Sequence, residues 1–351
     1  MIKRRISKEI TIGDVKIGNG NPISVQSMCN TDTRDIEATC RQIKELEAKG
    51  CEIVRLAVLN NEAADAIKEI VKKSTVPLVA DIHFDYKLAI KCINNGIDAL
   101  RLNPGNIGKR ENVEAVVKLA KQQQIPIRIG VNAGSLEKDL QNENIPLSEK
   151  MVKSALGHIK ILEDLDFDLI KVSLKSSDVM TTIEAYRSIA EKIPYPLHLG
   201  VTEAGTLRGG LIKSAAGLGT LLAEGIGDTI RVSLTENPTE EVTAGYDILK
   251  CLGLRERGVN FVSCPTCGRT QIDLISLAKR VEERFKDLPY PITIATMGCA
   301  VNGPGEAKHA DFGIAGGVNE GLIFKKGEIV AKVPENELLL KLEEIIKKSY
   351  K

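Results

Sequence analysis

Tryptophan is absent from this chain, and aromatic residues make up only 3% of its 351 residues. The apolar residues, 43% of the total, are therefore mainly Ile, Leu, Val and Ala. Such a composition suits buried parallel strands and the helices that cover them. A chain of this length can bury a large core and still form a smaller second module.

Net charge is almost absent as well, because 48 Lys and Arg residues face 47 Asp and Glu residues. A balanced chain has no overall basic field to attract nucleic acid or a membrane surface. The amino-terminal residues lack the apolar run of a signal peptide, and no segment reaches the roughly 18 apolar residues of a spanning helix. We therefore predict a cytoplasmic protein without nucleic-acid or membrane partners, in which any anion site is a local concentration of Lys and Arg.

The eight cysteines do not indicate a disulfide scaffold, because the chain is long and shows no secretory signal. Four of them fall within or beside helical and strand segments, and we expect them to be small buried residues: Cys40, Cys51, Cys92 and Cys251. Cys29 follows the first predicted strand. The last three, Cys264, Cys267 and Cys299, have a spacing that can hold a metal.

Short apolar strands alternate with helical segments through residues 1–253. The predicted strands are 23–28, 52–58, 77–84, 98–104, 126–132, 169–176, 196–202 and 229–234. The predicted helices lie near 34–49, 61–74, 86–96, 111–124, 148–165, 178–192, 207–223 and 239–252. Eight such units predict an α/β fold with an amino-terminal TIM (β/α)8 barrel. No glycine-rich phosphate loop of the Rossmann or Walker type follows the first strand.

Residues 254–351 predict a second, small α+β domain. The pattern indicates strands at 259–264, 291–298 and 310–317, helices at 271–287 and 335–349, and a hairpin over 321–333. We expect that hairpin to turn at Lys326-Gly327, since glycine tolerates the backbone conformation that tight turns need.

The carboxyl ends of the predicted barrel strands carry many charged side chains, at the end where such barrels hold their chemistry. Side chains two apart on a strand face the same way, so these groups share one mouth. The cations are Arg55, Arg101, Arg128, Lys171, Lys175 and Arg231. The acids among them are Asp81 and Glu203.

This imbalance has two interpretations. Each cation could form a private ion pair with a helix residue or point outward. Alternatively, the missing counter-charge is a bound anion, since buried unpaired charges cost several kcal/mol each. Arginine side chains suit phosphate oxygens, so the second interpretation predicts a ligand that bears one phosphate or two.

Cys264 and Cys267 form a C-x2-C motif, and Cys299 supplies a third thiol. A fourth ligand must come from Glu306 or His309. A structural zinc site would use three cysteines and His309, whereas iron–sulfur clusters usually take four thiolates. An oxygen ligand such as Glu306 is more easily displaced from iron than sulfur is, so it would leave one iron open to substrate. Spacing alone leaves iron–sulfur, zinc and plain thiols all open.

Motifs along essentially the whole chain resemble those of the 4-hydroxy-3-methylbut-2-enyl diphosphate synthases. They are "PISVQSMCNTDT", "VADIHFDYKLA", "LRLNPGNIG", "RIGVNAGSL", "KVSLKSSD", "HLGVTEAGT", "SCPTCGRT" and "MGCAVNGPGEAKHADFGIAGG". The resemblance implies an oxidoreductase of the non-mevalonate (MEP) isoprenoid pathway. Its reaction is the reductive ring opening and dehydration of 2-C-methyl-D-erythritol 2,4-cyclodiphosphate to (E)-4-hydroxy-3-methylbut-2-enyl diphosphate. The two electrons come from reduced flavodoxin or ferredoxin.

The resemblance also implies the site residues. A [4Fe–4S] cluster would be held by Cys264, Cys267, Cys299 and Glu306, with Glu306 also acting in catalysis. The substrate would be bound by Arg55, His83, Arg101, Arg128, Asn132, Lys171, Lys175, His198 and Ser233. Glu203 is a candidate proton donor to the departing hydroxyl, unless it pairs with Arg231.

Three further expectations follow from the resemblance. The second domain would resemble the sulfite and nitrite reductase type. The protein would form a head-to-tail homodimer, in which the cluster domain of one subunit covers the barrel of the other. Cys29 occupies a position where a threonine is common in relatives, and the cysteine is either a small neutral substitution or a residue that makes the site sensitive to oxidation.

Two other functions compete with this one. A transferase that resembles dihydropteroate synthase could use the same barrel with a zinc-stabilised tail. A nucleic-acid-binding module could use the tail as a zinc ribbon, but it predicts a basic, aromatic-bearing tail. Metal content distinguishes the first, and salt-dependent nucleic-acid binding the second.

Overall fold

The structure is a computed structural model, and it describes residues 2–299, 305 and 307–350. The chain divides into two compact units, Met1–Arg255 and Glu256–Lys351. Over the described part of the chain, every helix is too short or too polar to cross a membrane.

The first unit is built on parallel strands that follow the predicted order. Two short strands come first, β1 (Ile10–Ile12) and β2 (Val15–Ile17). The barrel strands are β3 (Ser24–Met28), β4 (Ile53–Ala57), β5 (Leu78–Asp81), β6 (Ala99–Arg101), β7 (Ile127–Asn132), β8 (Ile170–Lys175), β9 (His198–Leu199) and β10 (Thr229–Ile230). They form one sheet in the order β8-β7-β6-β5-β4-β3-β10-β9. A bridge between Val172 and Leu197 brings β8 to the start of β9, so the barrel is nearly closed.

A helix follows each barrel strand, as the alternation predicts. The helices are α1 (Ile36–Ala48), α2 (Asn61–Lys73), α3 (Tyr86–Asn94), α4 (Arg110–Gln122), α5 (Lys138–Gln141), α6 (Leu147–Glu163), α7 (Val179–Lys192), α8 (Leu207–Ala223) and α9 (Pro238–Cys251). Side-chain caps fix where several of them begin. The Asp35 carboxylate accepts from Ala38 N, and the Asp178 carboxylate accepts from Thr181 N. Each cap satisfies an amide that has no partner inside its helix.

Strands β1 and β2 form an antiparallel hairpin that the sequence pattern does not predict. Ile10, Ile12 and Ile17 of this hairpin pack against Ile53 and Val79, which lie at or near the start of β4 and β5. The amino-terminal ends of the strands form the end of the barrel opposite the mouth, and the hairpin closes that end, which we call the barrel floor. Three-residue strands are too short to show a clear alternation of apolar and polar residues.

The second unit is a small α+β domain, as predicted. Its strands are β11 (Asn260–Ser263), β12 (Thr293–Met297), β13 (Phe312–Gly316), β14 (Glu320–Lys325) and β15 (Glu328–Pro334). They form one sheet in that order, parallel from β11 to β13 and antiparallel from β13 to β15. Helices α10 (Leu274–Phe285) and α11 (Leu338–Ser349) contribute apolar side chains to its core. The predicted turn is confirmed, with φ of +49° at Lys326 and +83° at Gly327.

Candidate active site

Strand register gathers the predicted cations inside the barrel. Asp81 is the register partner of Arg101, Arg101 of Arg128, and Arg128 of Lys171. Three cations therefore follow one another across neighbouring strands at one height. Like charges directly opposite each other destabilise a sheet unless something compensates them.

A cavity of about 110 Å³ opens above this row. It is lined by Arg55, Asp81, His83, Arg101, Arg128, Gly130, Asn132, Ser173, Lys175, Thr202, Arg231 and Ser233. Seven of the nine residues predicted to bind substrate are in this set. The other two, Lys171 and His198, are buried deeper in the barrel.

Asp81 is the carboxylate among the residues that line the cavity. Its oxygens lie 3.6 Å from Arg55 Nε, 3.4 Å from Arg101 Nη1 and 3.5 Å from His83 Nε2. Burial would raise the pKa of this carboxyl, but Arg55, the hydrogen bond to His83, and Arg101 hold the pKa well below its usual range. Asp81 is therefore a fixed negative charge shared by several cations.

Arg231 is paired with Glu241, a residue that sequence reasoning missed. The distances are 3.2 Å from Nε to Oε2 and 3.3 Å from Nη2 to Oε1. The suggested alternative, a pair between Arg231 and Glu203, is therefore wrong. Glu241 is buried in the first turn of α9 and also accepts from Ser27 Oγ and Leu234 N. In the sequence it resembles any acid that favours a helix amino terminus.

Glu203 is exposed in the loop that follows β9, next to Thr202 of the cavity wall. Its φ of +52° lies in the left-handed region, which is uncommon for a residue other than glycine. Such conformations cluster at functional sites. The position is consistent with a group that meets the substrate at the mouth.

The buried cations outnumber the carboxylates. Arg101, Arg128, Lys171 and Lys175 are buried, and Arg55 and Arg231 are partly buried. Among the described residues of the barrel interior these six cations face three carboxylates, Asp81, Glu241 and Asp228, and Asp228 also pairs with Arg4. Burial lowers the pKa of Lys171, Lys175 and Arg128, and that of Arg55 to about 10. Within residues 2–255, the buried Lys171 Nζ and Arg128 Nε have no hydrogen-bond partner. An anion in the cavity would supply the missing negative charge.

Two glycines, Gly130 on β7 and Gly200 directly after β9, make room for the cations. A Cβ on Gly130 would lie 2.6 Å from Arg101 Nε, and a Cβ on Gly200 would lie 2.5 Å from Lys175 Nζ. The Gly130 carbonyl accepts from Arg101 Nη2 at 2.9 Å and from Asn103 Nδ2 at 3.0 Å. Asn103 Oδ1 accepts in turn from Gly130 N at 2.8 Å. Asn103 therefore holds the strand against which Arg101 rests.

The remaining cysteines of the barrel differ from expectation in two places. Cys51 and Cys92 are buried as predicted, but Cys40 is only partly buried and Cys251 is exposed at the end of α9. Cys29 is buried, and burial raises the pKa of its thiol to about 12. A thiol that stays protonated is a poor target for oxidation.

The cysteines of the second unit lie at one edge of its sheet. Cys264 follows β11, and Cys299 follows the neighbouring parallel strand β12. Gly298 N donates a hydrogen bond to Cys264 Sγ at 3.1 Å, so the two cysteine-bearing segments are adjacent. Cys267 is exposed, and hydrogen bonding from the Arg269 backbone lowers the pKa of its thiol. Thiolate character and N–H···S bonds are what an iron–sulfur or zinc site requires.

Glu306 lies outside the described residues. Among residues 2–299, 305 and 307–350, the three cysteines do not converge into a metal-binding group with other Cys, His, Asp or Glu residues. His309 is exposed. The choice between Glu306 and His309 as fourth ligand is therefore not decided by this geometry.

A TIM barrel with an excess of buried cations at its mouth, followed by a small cysteine-bearing domain, defines an enzyme that acts on an anionic substrate. The chain belongs to the GcpE family. The model of the GcpE TIM-barrel domain matches residues 7–246, and that of the GcpE protein C-terminal domain matches residues 260–348.

Curated relatives match nearly the full length. The chain is 62% identical over 339 residues to a protein of Dehalococcoides mccartyi strain CBDB1, covering 97% of each chain. It is 59% identical to one of Clostridium perfringens, covering 98% of this chain and 99% of the relative. Both are named 4-hydroxy-3-methylbut-2-en-1-yl diphosphate synthase (flavodoxin).

Solved structures of dihydropteroate synthases resemble the barrel. The enzyme of Stenotrophomonas maltophilia gives a TM-score of 0.54 at 12% identity, covering 70% of this chain and 97% of that one. The enzyme of Xanthomonas albilineans in complex with 7,8-dihydropteroate gives 0.52 at 13% identity, covering 70% and 98%. At such identities the likeness concerns the fold alone.

Proposed function

We propose that this chain converts 2-C-methyl-D-erythritol 2,4-cyclodiphosphate into (E)-4-hydroxy-3-methylbut-2-enyl diphosphate. Two electrons and two protons open the cyclic diphosphate, and one oxygen leaves as water. The observation that carries the proposal is the excess of buried cations around the cavity of the barrel. The printed names of relatives about 60% identical to this chain support it.

The cavity residues bind the diphosphate in this proposal. Seven cavity residues contact the diphosphate or the sugar-derived part of the substrate: Arg55, Arg101, Arg128, Lys175, His83, Asn132 and Ser233. Lys171 and His198 lie deeper in the barrel and support these side chains. When the ring C–O bond breaks, negative charge grows on the departing phosphate oxygen. Preorganised cations that already surround that oxygen stabilise the charge without reorganising.

Glu203 delivers a proton to the hydroxyl that leaves as water. Its exposed position beside the cavity wall, in the loop after β9, supports this role. Arg231 has its own buried partner in Glu241, so no ion pair with Arg231 occupies the Glu203 carboxylate. A proton donor at the mouth can be recharged from water after each turnover.

A [4Fe–4S] cluster would be held by Cys264, Cys267, Cys299 and Glu306, and when bound it supplies electrons one at a time. The adjacent thiol segments and the hydrogen bond from Gly298 N to Cys264 Sγ fit such a group. Residues 254–351 then form the cluster domain and residues 1–253 the domain that binds the diphosphate. The mixed five-stranded sheet of the cluster domain supports a likeness of that domain to sulfite and nitrite reductase domains.

Reduced flavodoxin is the electron donor in this proposal, in line with the printed names of the relatives. Reduced ferredoxin is the alternative. Both are one-electron carriers, so the chain must accept electrons in two steps. Reduction rates with each purified carrier decide between them.

The proposed assembly is a head-to-tail homodimer. Arg255, the last residue of the first unit, donates to Ile23 O at 2.7 Å and pairs with Glu52 at 3.0 Å. Ile23 and Glu52 directly precede β3 and β4, so the chain leaves the barrel at the end opposite the cavity. This anchoring supports the idea that the cluster domain of a second copy covers the mouth.

An exposed apolar rim around the mouth supports the same assembly. Leu59, Phe84, Met180 and Leu207 are between 40% and 80% exposed, and each follows the carboxyl end of a barrel strand. Large exposed apolar groups that surround a polar site mark a surface that another molecule covers. Sedimentation of the oxygen-free protein tests it. Two copies per particle are expected, and a monomer that turns over would contradict the dimer.

Anaerobic purification followed by metal analysis and electron paramagnetic resonance tests the function. We expect iron with acid-labile sulfide, a reduced-cluster signal that the cyclic diphosphate changes, and formation of the linear diphosphate. Stoichiometric zinc without iron would instead support the transferase that resembles dihydropteroate synthase. Glu306→Ala should alter the signal of the substrate-free protein, and an unchanged spectrum would reject Glu306 as a ligand.

A further inference from the structure

His198 lies behind a cavity residue rather than on the cavity wall. It is completely buried on β9 and is not among the cavity-lining residues, whereas Lys175 is. Its Nε2 atom lies 3.3 Å from Lys175 Nζ. His198 therefore touches a lysine of the proposed binding site instead of the space that the substrate would occupy.

The chemistry of the two groups sets the direction of this hydrogen bond. An ammonium group has three hydrogens and no lone pair, so it can only donate. Lys175 must be charged to bind an anion. His198 Nε2 is then the acceptor, which requires a neutral imidazole with its hydrogen on Nδ1.

The surroundings of His198 also favour the neutral form. Cations face it from three strands: Lys171 and Lys175 on β8, Arg128 on β7 and Arg55 on β4. Burial, and then these cations, lower the pKa of His198. An imidazolium would add one more positive charge to a cluster of buried cations that has too few carboxylate partners. His198 is thus unsuited to deliver the proton that the departing hydroxyl needs.

The surrounding structure fixes the backbone that carries both partners. The hydroxyl of Tyr186 donates to His198 O and accepts from Leu174 N at 3.1 Å, which ties β9 to the residue before Lys175. Gly200, two residues after His198 on the same face, leaves the space that Lys175 Nζ occupies. The lysine side chain therefore runs between two strands whose spacing is set independently of any ligand.

We infer that His198 is a positioning residue, a neutral imidazole that accepts one hydrogen of Lys175 and leaves the other two for the bound anion. The inference rests on the proposed function only in that a ligand with a diphosphate group occupies the cavity. It differs from the role expected from the sequence, where His198 was assigned to the substrate itself.

Calorimetric titration of the full chain with inorganic pyrophosphate tests the inference. Lys175→Met and His198→Leu should each lower affinity about tenfold or more, as for the loss of one charge-assisted hydrogen bond. The double variant should bind no more weakly than the weaker single variant, because both changes remove the same interaction. His198→Gln, which keeps an acceptor, should retain most of the affinity. The inference would be overturned if the loss of pyrophosphate affinity in the double variant equalled the product of the two single losses. Full affinity in His198→Leu would overturn it as well.

Nuclear magnetic resonance of the unchanged chain gives an answer that does not depend on how the variants fold. The chain has only four histidines, so 15N-histidine labelling yields few signals. His198 should show a protonated Nδ1 and a bare Nε2 from about pH 6 to about pH 8, on both sides of the ordinary histidine pKa of about 6.5. A His198 signal that titrates in this range would refute the inference.

The inference and the proposed function can fail separately. Unchanged pyrophosphate affinity in Lys175→Met, in a protein that still converts the cyclic diphosphate, would contradict the inference alone. Coupled pyrophosphate losses in a protein that never forms the linear diphosphate would support the inference and contradict the proposed function.

Discussion

Gly200 leaves the space that the ammonium group of Lys175 occupies: a methyl group on its α-carbon would lie 2.5 Å from Nζ and 2.9 Å from Cε. The same methyl group would lie 2.9 Å from the Arg231 carbonyl oxygen, which is backbone and cannot move easily. Gly200→Ala should therefore displace Lys175 from the cavity. We expect KM for the cyclic diphosphate to rise roughly tenfold or more, with a stability cost of about 1–3 kcal/mol.

Gly157→Ala is the matched control for this change. Gly157 is exposed in α6, and a Cβ there has open space around it. Alanine should raise the free energy of unfolding by about 0.5–1 kcal/mol through helix propensity and leave KM unchanged. Normal kinetics in Gly200→Ala would show that Lys175 does not need its present position.

Glu241→Gln should destabilise the barrel strongly. The change leaves the Arg231 guanidinium without its buried carboxylate partner, which lies 3.2 Å away. Breaking a buried ion pair by removing one partner costs about 3–5 kcal/mol. Urea unfolding of the full chain measures the loss, and added pyrophosphate should recover part of it, because an anion in the cavity can take over the counter-charge.

Glu240 provides the comparison for that experiment. It is the neighbouring residue in the first turn of α9, and it is exposed. Glu240→Gln should change the free energy of unfolding by no more than about 0.5 kcal/mol. Equal effects of the two substitutions would contradict the importance assigned to the Arg231–Glu241 pair.

The stability of the barrel should fall in mild acid because of His158. Its Nδ1 accepts from Gly105 N at 3.2 Å, and its Nε2 lies 3.0 Å from Glu137 Oε1. Burial lowers the pKa of His158 although Glu137 opposes the shift. The unfolded chain therefore takes up this proton at higher pH than the folded chain does. The contribution to stability is complete above about pH 6.5 and decreases as pH falls towards the lower folded value.

Urea midpoints measured between about pH 7 and about pH 5 check this prediction. His158→Gln cannot titrate and should flatten the pH dependence. An unchanged slope in His158→Gln would mean that other groups cause the acid sensitivity.

Iron binding should depend on three of the eight cysteines. Cys264→Ser, Cys267→Ser and Cys299→Ser should each lower the iron and sulfide content of anaerobically reconstituted protein, because hydroxyls are poor cluster ligands. Cys251→Ser is the control, since Cys251 is exposed at the end of α9 in the other unit. Full iron content in any of the first three variants would remove that cysteine from the ligand set.

The order of strands and helices was predictable because the apolar residues of each segment repeat with the period of a strand or of a helix. All eight barrel strands lie within the predicted ranges, and the convergence of their carboxyl ends follows from parallel closure. The position of a residue along the barrel axis was not predictable in the same way. Lys171 and Lys175 share a face of β8, yet only Lys175 reaches the cavity, because pairing with Arg128 and Asn132 sets their heights.

The partners in side-chain ion pairs between different elements were also not predictable from the sequence. Glu240 and Glu241 are adjacent acids in one helix turn, and no local pattern shows which of them meets Arg231. The hairpin of β1 and β2 has too few residues for a period to be read. The role of Glu306 stays a prediction, since that residue lies outside the described part of the chain.

The hairpin that seals the barrel floor has a consequence for turnover. With Ile12 and Ile17 packed beneath Ile53 and Val79, the barrel within residues 2–255 is a blind-ended well. Reactant and product must then pass through the same entrance, one after the other. Linear diphosphate product that remains bound in the cavity prevents the next substrate molecule from binding. The product should therefore be a competitive inhibitor, and product release can limit the steady-state rate.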